Sequence, residues 1–222
     1  MTCAALLTEM ESLGSEQMRR YNSKHGAGSH QYGLKLGSIR ELAKKTGKNT
    51  ALANELWATQ NIDARLLACL IVVPTDWDAS RLDALVHSID YVQIADWFSA
   101  YVLKDHPDCE KLRQQWMVSS HKWAARLGWA LTAGLVSKTQ DREFLDTLMH
   151  RIANEMPTAE PEVQWTQNTV LAMIGIHHPN YRESALALGE QLGLFRDYPT
   201  SKGCVSPFAP IWITEMVKRQ KK

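Results

Sequence analysis

The sequence predicts an all-α protein in which antiparallel helix pairs stack in series into an α-α superhelix with a concave groove. Three observations predict this fold class. Apolar residues recur with helical spacing along almost the whole chain, and no window shows sustained strand alternation. Helix breakers separate short segments with short connections, which favours antiparallel neighbours. A weak internal repeat also recurs along the chain, as stacked helix pairs require.

The periodic segments and their breakers divide the chain into thirteen helices. The breaks fall at Gly26–Gly28, Pro74, Pro107, Pro157–Pro161, Pro179 and the loop "RDYPTSKGCVSPFAP". Helices are predicted over 3–13, 15–22, 37–46, 49–59, 62–73, 79–87, 90–104, 108–118, 121–137, 142–155, 162–176, 180–192 and 208–219. We expect one domain over 1–222, with 193–222 forming a loop and a C-terminal capping helix.

The internal repeat aligns three helical segments: "IDARLLACL" (62–70), "WAARLGWAL" (123–131) and "WTQNTVLAM" (165–173). Arg65 and Arg126 occupy matching places, Asn168 takes the same place in the third segment, and the helix carrying Asp96 lies between the first two. The spacings of 31, 30 and 42 residues are in the range of helical-pair repeats. We therefore expect these four residues to form one polar stripe along the groove.

Composition indicates a globular chain of 222 residues, with 45% apolar and 22% charged residues. No apolar run is long enough for a membrane span, and the first residues read as a helix. The 4 cysteines are widely spaced, without a CxxC pair. This pattern favours free thiols in a reducing compartment, so we expect a cytoplasmic protein without a metal site or cofactor.

The net charge of +1 hides an uneven distribution. Residues 1–60 carry a net +3 and residues 196–222 a net +4, whereas residues 141–195 carry a net −5. A polyanion could bind locally to the basic ends. Uneven solvated surfaces explain the same pattern equally well.

Asp96 lies in the middle of the largely apolar segment "IDYVQIADWFSAYVL" (89–103). A helical wheel puts Tyr91, Ile94, Phe98, Tyr101 and Val102 on one face, and Asp96 on the opposite face with Val92, Ser99, Ala100 and Leu103. Small residues beside a carboxylate leave room for a ligand. Alternatively, Asp96 pairs with Arg126 or Arg65 from a neighbouring helix.

The 8 tryptophans are many for this length. Most of them fit core packing, the usual role of this side chain. Trp97 and Trp165 lie on or next to the predicted polar stripe, so they are the tryptophans best placed to contact a ligand, although core packing remains the alternative for both.

Five motifs, taken in order, resemble the DNA alkylation repair family of HEAT-like helical proteins, which includes alkylpurine DNA glycosylases. They are "YGLKLGSIRELAKK" (32–45), "ELW" (55–57), "NIDARLLACLIV" (61–72), "IADWFSAYVLKDHP" (94–107) and "KWAARLGWAL" (122–131). The resemblance implies a HEAT-like solenoid that binds alkylated duplex DNA independently of sequence. It places Asp96 at the family's catalytic carboxylate. The candidate DNA-binding residues are Lys35, Arg40, Arg65, Trp97, Arg126, Trp165, Asn168 and Lys202.

The resemblance implies excision of cationic N3- or N7-alkylpurines. The glycosidic bond of such a base is already weak, so one carboxylate and aromatic faces suffice to stabilise the sugar cation. The family carries W-x-x-x-D at the carboxylate and W-x-x-R on a later helix, where this chain has Val92 and then Ala172 and Gly175. Three readings stay open: a glycosylase, a relative that binds DNA without excising a base, and a non-catalytic scaffold that binds a protein in its groove.

Overall fold

The computed structural model of the protein describes residues 2–220. Within that range the chain forms α-helices, short 3-10 turns and one π-helical turn, without a strand. The α-helices are α1 (Cys3–Leu13), α2 (Glu16–Lys24), α3 (Leu36–Thr46), α4 (Thr50–Ala58), α5 (Ile62–Ile71), α6 (Ala79–His87), α7 (Val92–Phe98), α8 (Cys109–Trp116), α9 (Lys122–Val136), α10 (Arg142–Glu155), α11 (Pro161–His177), α12 (Arg182–Leu192) and α13 (Ala209–Gln220).

The all-α prediction is confirmed, and every predicted helix is present, with its ends within two residues of the predicted ones except at the end predicted at residue 104. The helix predicted over 90–104 is α-helical only in its first part, because α7 ends at Phe98 and a π-helical turn, Ser99–Leu103, follows it. No helix between residues 2 and 220 combines the length and the apolar character needed to cross a membrane.

Side-chain caps explain where many of the helices begin. Asn49, Asn61 and Asp141 each accept a hydrogen bond from a backbone N–H in the first turn of the helix that follows. Such caps satisfy donors that have no partner inside the helix, and each contributes about 1 kcal/mol. The polar residues that precede the apolar runs therefore mark these helix starts in the sequence.

The backbone divides into two compact units: unit 1, Met1–Leu112, and unit 2, Arg113–Lys222. In unit 1, α5 packs against α3, α4 and α7, and nine of its residues are buried. An aromatic cluster joins Trp57, Trp77 and Phe98, whose ring centroids lie 5.5 to 6.3 Å apart. The expectation of a single domain over 1–222 stays a prediction.

The segment before α3 in unit 1 is held by a buried acid on α5. Asp63 is 1% exposed and accepts hydrogen bonds from the backbone N–H groups of Tyr32, Gly33 and Leu34, at 2.7 to 3.0 Å. Gly33 has a φ of +76°, and a Cβ there would lie 2.6 Å from the Ser15 carbonyl oxygen. Both the backbone conformation and the close approach therefore require glycine.

In unit 2, α11 is the central helix and packs against α9, α12 and α13. Small residues allow close approach at two places. A Cβ on Gly128 would lie 2.7 Å from the Met117 backbone nitrogen, and one on Gly175 would lie 2.5 Å from the Ile213 Cδ1 atom. These glycines let α9 lie against the chain that leaves α8, and let α11 lie against α13.

Candidate functional site

Asp96 lies on α7 of unit 1 with an exposed side chain, while the residues on either side of it, Ala95 and Trp97, are buried. The Asp96 carboxylate is close enough to affect Tyr91. Burial is the main cause that raises the pKa of the Tyr91 phenol, and the charges of Tyr21, Asp63 and Asp96 raise it further. Tyr91 therefore stays protonated beside an exposed carboxylate.

The π-helical turn changes which residues share a face after α7. The Lys104 N–H donates to the Ser99 carbonyl oxygen at 3.0 Å, which closes a ring one residue wider than in an α-helix. As a result, Tyr101 is 40% exposed and Leu103 is fully buried. The wheel that places Leu103 with Asp96 is therefore wrong beyond Phe98, because it assumes a constant α-helical period. Such turns occur frequently at functional sites.

Arg40, Trp97 and Tyr101 form a cation–aromatic cluster next to Asp96 in unit 1. The Arg40 guanidinium carbon lies 4.8 Å from the Trp97 ring centroid, and the Trp97 and Tyr101 rings meet edge-on at 5.4 Å. Trp97 is 5% exposed, whereas Arg40 is exposed. One face of Trp97 is thus covered by Arg40. Lys35, the residue before α3, is exposed as well.

Arg65 is buried within unit 1 and has acceptors there. Its Nη1 donates to the Ser88 carbonyl oxygen at 2.9 Å, its Nε donates to the Trp57 carbonyl oxygen at 3.3 Å, and Asp90 lies 3.4 Å from Nη1. Burial lowers the pKa of the guanidinium, which the charges of Asp90 and Cys69 oppose. With 3% of its surface exposed, Arg65 presents almost no surface to a phosphate, so we assign it a structural role.

Arg126 occupies a similar environment in unit 2. It is 4% exposed, and its Nη1 donates to the Glu162 carbonyl oxygen at 2.9 Å, where α11 begins. The Lys122 ammonium lies 2.8 Å from the Glu162 carboxylate. Burial alone would raise the pKa of Glu162, but the hydrogen bonds from Lys122 and the backbone, together with the charges of Lys122 and Arg126, outweigh burial and lower it.

Trp165 and Asn168 contact the loop that precedes α13. Asn168 is 2% exposed and donates from Nδ2 to the Pro207 carbonyl oxygen at 2.8 Å. The Trp165 ring meets those of Phe195 and Tyr198 at 5.3 and 5.4 Å. Both residues therefore hold this loop against α11. Lys202, in the same loop, is exposed.

The predicted polar stripe is thus divided between the units, with Arg65 and Asp96 in unit 1 and Arg126 and Asn168 in unit 2. The stripe as a whole stays a prediction. Several buried polar residues were not singled out from the sequence, among them Asp63, described above, and Gln167 on α11. An acid in the first turn of a helix usually indicates a favourable interaction with the helix dipole, so the sequence carries no signal that Asp63 is buried.

The positions that depart from the W-x-x-R motif lie in the interior of unit 2. Ala172 is fully buried, and Gly175 lies against Ile213 of α13 and Ala185 of α12. A tryptophan or an arginine would not fit between these helices. In the part of the chain that the structure describes, no three His, Cys, Asp or Glu side chains are grouped so that they could hold a metal ion.

One family model and one solved structure each match nearly the whole chain. Residues 6–209 match the sequence profile of a family described as "DNA alkylation repair enzyme". A solved structure superimposes with a TM-score of 0.81 at 21% sequence identity, covering 99% of this chain and 95% of the other. It is described as "a new family of proteins related to the HEAT-like repeat DNA glycosylases with affinity for branched DNA structures". At this identity the likeness shows a HEAT-like fold. No curated protein matches.

Proposed function

Since the chain belongs to the DNA alkylation repair enzyme family, we propose that it binds duplex DNA, including branched duplexes, without sequence preference. The family supports DNA as the partner. The affinity for branched structures described for the structurally similar protein supports junctions among the targets. The net charge of +1 supports a small number of phosphate contacts and not a long footprint.

The observation that carries this proposal is the exposed cation Arg40 on the Trp97 ring, one residue from Asp96 in the chain. A guanidinium held against an aromatic ring loses little freedom when it binds a phosphate. Lys35 adds a second exposed cation just before the same helix, α3. Contacts of this kind position a protein on DNA but do not read its sequence.

Fluorescence anisotropy at several salt concentrations tests this proposal on a regular duplex and a four-way junction. With about three to five phosphates contacted, log K should fall with log salt at a slope of roughly −3 to −5. Arg40→Met and Lys35→Met should each reduce the slope by about one. Lys44→Met is the matched control, because Lys44 is already paired with Glu41 on the same helix. The absence of salt-dependent binding at low ionic strength would favour the scaffold reading.

Base excision is the second candidate function, and the exposure of Asp96 beside the protonated Tyr91 favours it. An exposed carboxylate can stabilise a sugar cation and orient water, without an acid for the leaving group. Excision should then be confined to cationic N3- and N7-alkylpurines. It should also be slow, because Arg40 covers a face of Trp97 and because Val92, Ala172 and Gly175 replace residues of the family motifs.

A single-turnover assay on methylated duplex tests the role of Asp96. Asp96→Asn keeps the size of the side chain but removes its charge, so release should fall at least roughly tenfold, equivalent to about 1.4 kcal/mol of transition-state stabilisation. Asp105→Asn, at another exposed acid of unit 1, should leave the rate unchanged. Equal release of the base by wild type and Asp96→Asn would exclude the catalytic role. If wild type releases no base, DNA binding remains as the only proposed function.

A further inference from the structure

A cavity of about 230 Å³ in unit 2 is lined by residues of α11, of α13 and of the loop that joins α12 to α13. Trp165 of α11 and Trp212 of α13 contribute to its walls, and the loop adds the ring of Tyr198. This volume is smaller than the roughly 300–1,000 Å³ of sites for drug-sized ligands. The cavity therefore has room for one small ring system or one side chain.

The Tyr198 ring is open to solvent but is supported by two other rings. It is 47% exposed, and its centroid lies 5.4 Å from that of Trp165 and 6.1 Å from that of Phe195. The rings meet at steep angles of 55° and 71°, so neither neighbour stacks flat on Tyr198. A planar ligand can stack on a ring that is held in this way at a small cost in conformational entropy.

Among the described residues, none that lines this cavity carries a charge. Besides the three aromatic rings, the walls consist of apolar side chains and of small polar ones: Pro199, Val205, Pro207, Thr200, Ser201 and Cys204. An anion that entered the cavity would lose water without gaining a counter-charge, which is unfavourable. The walls therefore suit an uncharged, planar group and do not suit a phosphate.

The chain around the cavity is basic. The segment 196–222, which supplies most of the loop and all of α13, carries a net +4. Lys202 is exposed and lies in the chain between two lining residues, Ser201 and Cys204. Positive charge disfavours a quaternary ammonium, which would otherwise suit a set of aromatic rings. It favours an uncharged ring that is attached to an anion.

We propose that this cavity binds one unpaired nucleobase of DNA, which stacks on the Tyr198 ring while Lys202 contacts a neighbouring phosphate. A nucleotide joins an uncharged planar base to an anionic backbone, and proteins that bind single strands combine aromatic rings with basic residues for this reason. Stacking accepts every base, since each has an aromatic face. The site rests on the proposed DNA binding and adds to it a contact with unpaired nucleotides in unit 2, whereas Arg40 and Lys35 lie in unit 1.

Fluorescence anisotropy tests the site with a duplex that carries either a short extension of unpaired thymidines or an abasic extension of the same length. Both extensions have the same phosphates, so a difference in affinity reports the bases. Wild type should bind the thymidine extension at least about fivefold more tightly, the effect of one stacked base. Lys202→Met should reduce the salt slope for the extended duplex by about one. An unchanged slope would overturn the role of Lys202.

Tyr198→Ala is the decisive variant. It should abolish the preference for thymidines but keep the affinity for a blunt duplex, which also shows that the variant is folded. Tyr198→Phe keeps the ring and should keep the preference. Ile211→Ala is the matched control, because it shortens an apolar side chain that is 45% exposed on α13 and does not line the cavity. A preference that survives Tyr198→Ala would overturn the proposal.

A second measurement does not depend on a variant. The fluorescence of 2-aminopurine is quenched when this base stacks, so its emission from the extension should fall when wild type binds. Unchanged emission together with equal affinity for the two extensions would overturn the site and leave the proposed duplex binding intact, whereas the absence of binding to every DNA would overturn both. Without a thymidine preference, binding of choline or of a proline-rich peptide that is lost in Tyr198→Ala would assign the cavity to that ligand and overturn the nucleobase.

Discussion

In unit 1 the buried carboxylate of Asp63 has three backbone donors, whereas in unit 2 the buried amide of Gln167 has an oxygen without a partner among the described residues. Both side chains lie on well-packed helices and are about equally buried. A buried polar group with a full set of partners stabilises the fold, whereas a buried acceptor without a partner lowers stability. Burial alone therefore does not show whether a polar side chain stabilises the unit that contains it.

The exposed groups give a second contrast between the units. The cluster of unit 1 places Asp96, Arg40 and Tyr101 where solvent reaches them. In unit 2, the candidates Arg126, Trp165 and Asn168 contact the start of α11 or the loop before α13. Unit 1 thus carries the exposed groups that the proposed DNA binding uses, whereas these candidates of unit 2 hold parts of that unit together.

The largest expected effect tests the structural role of Asp63. Asp63→Ala leaves three backbone donors without an acceptor, which should lower the free energy of unfolding by roughly 3–5 kcal/mol. Asp78→Ala removes one exposed helix cap in the same unit and should cost about 1 kcal/mol. Urea denaturation of both variants provides the measurement. An equal loss in the two would show that the segment before α3 does not depend on Asp63.

A smaller effect is expected at Arg65, whose guanidinium satisfies two carbonyl oxygens inside unit 1. Arg65→Met should lower the free energy of unfolding by roughly 1–3 kcal/mol, because the Ser88 carbonyl oxygen loses its donor, while the Trp57 carbonyl oxygen still accepts from the Gln60 N–H. Arg81→Met, at an exposed position of α6, should stay within about 0.5 kcal/mol of wild type. The salt slope of DNA binding should not change for Arg65→Met. A slope reduced by about one would restore Arg65 as a phosphate contact.

The helices could be predicted from sequence because two local signals agree at most of their starts and ends. Apolar spacing and capping residues such as Asn49 and Asp141 depend only on near neighbours in the chain. The π-helical turn after Phe98 could not be predicted, since wheel analysis assumes one period throughout. It moves Tyr101 to the surface and Leu103 into the core.

The candidate site was less predictable because side-chain direction depends on packing between helices that are distant in the chain. The repeat matched Arg65 with Arg126, and both are buried and donate hydrogen bonds to carbonyl oxygens. Polar residues on a helix that is buried on most sides, such as α11, show no periodicity that would distinguish a residue that anchors a loop from one that does not. Asn168 donates to the loop before α13, whereas the Oε1 atom of its neighbour Gln167 has no partner among residues 2–220.

The smallest expected effect concerns Lys122 and Glu162, the partly exposed ion pair that joins α9 to α11 in unit 2. Exposed pairs contribute little, so Lys122→Met should lower the free energy of unfolding by about 0.5 kcal/mol near pH 7. The pKa of Glu162 is lower in the folded chain than in the unfolded one. Its contribution is therefore fully present above the unfolded carboxylate value of about 4.3 and is lost as pH falls through the lower folded value. Unfolding curves for wild type and Lys122→Met should differ by a constant amount between about pH 6 and 8 and converge below about pH 4.

Lys138→Met, at an exposed lysine of unit 2, should show no such pH dependence. If the difference at Lys122 persists undiminished at low pH, the lysine stabilises α9 through its contact with the Trp123 ring, whose centroid lies 5.1 Å from the ammonium, and not through the acid.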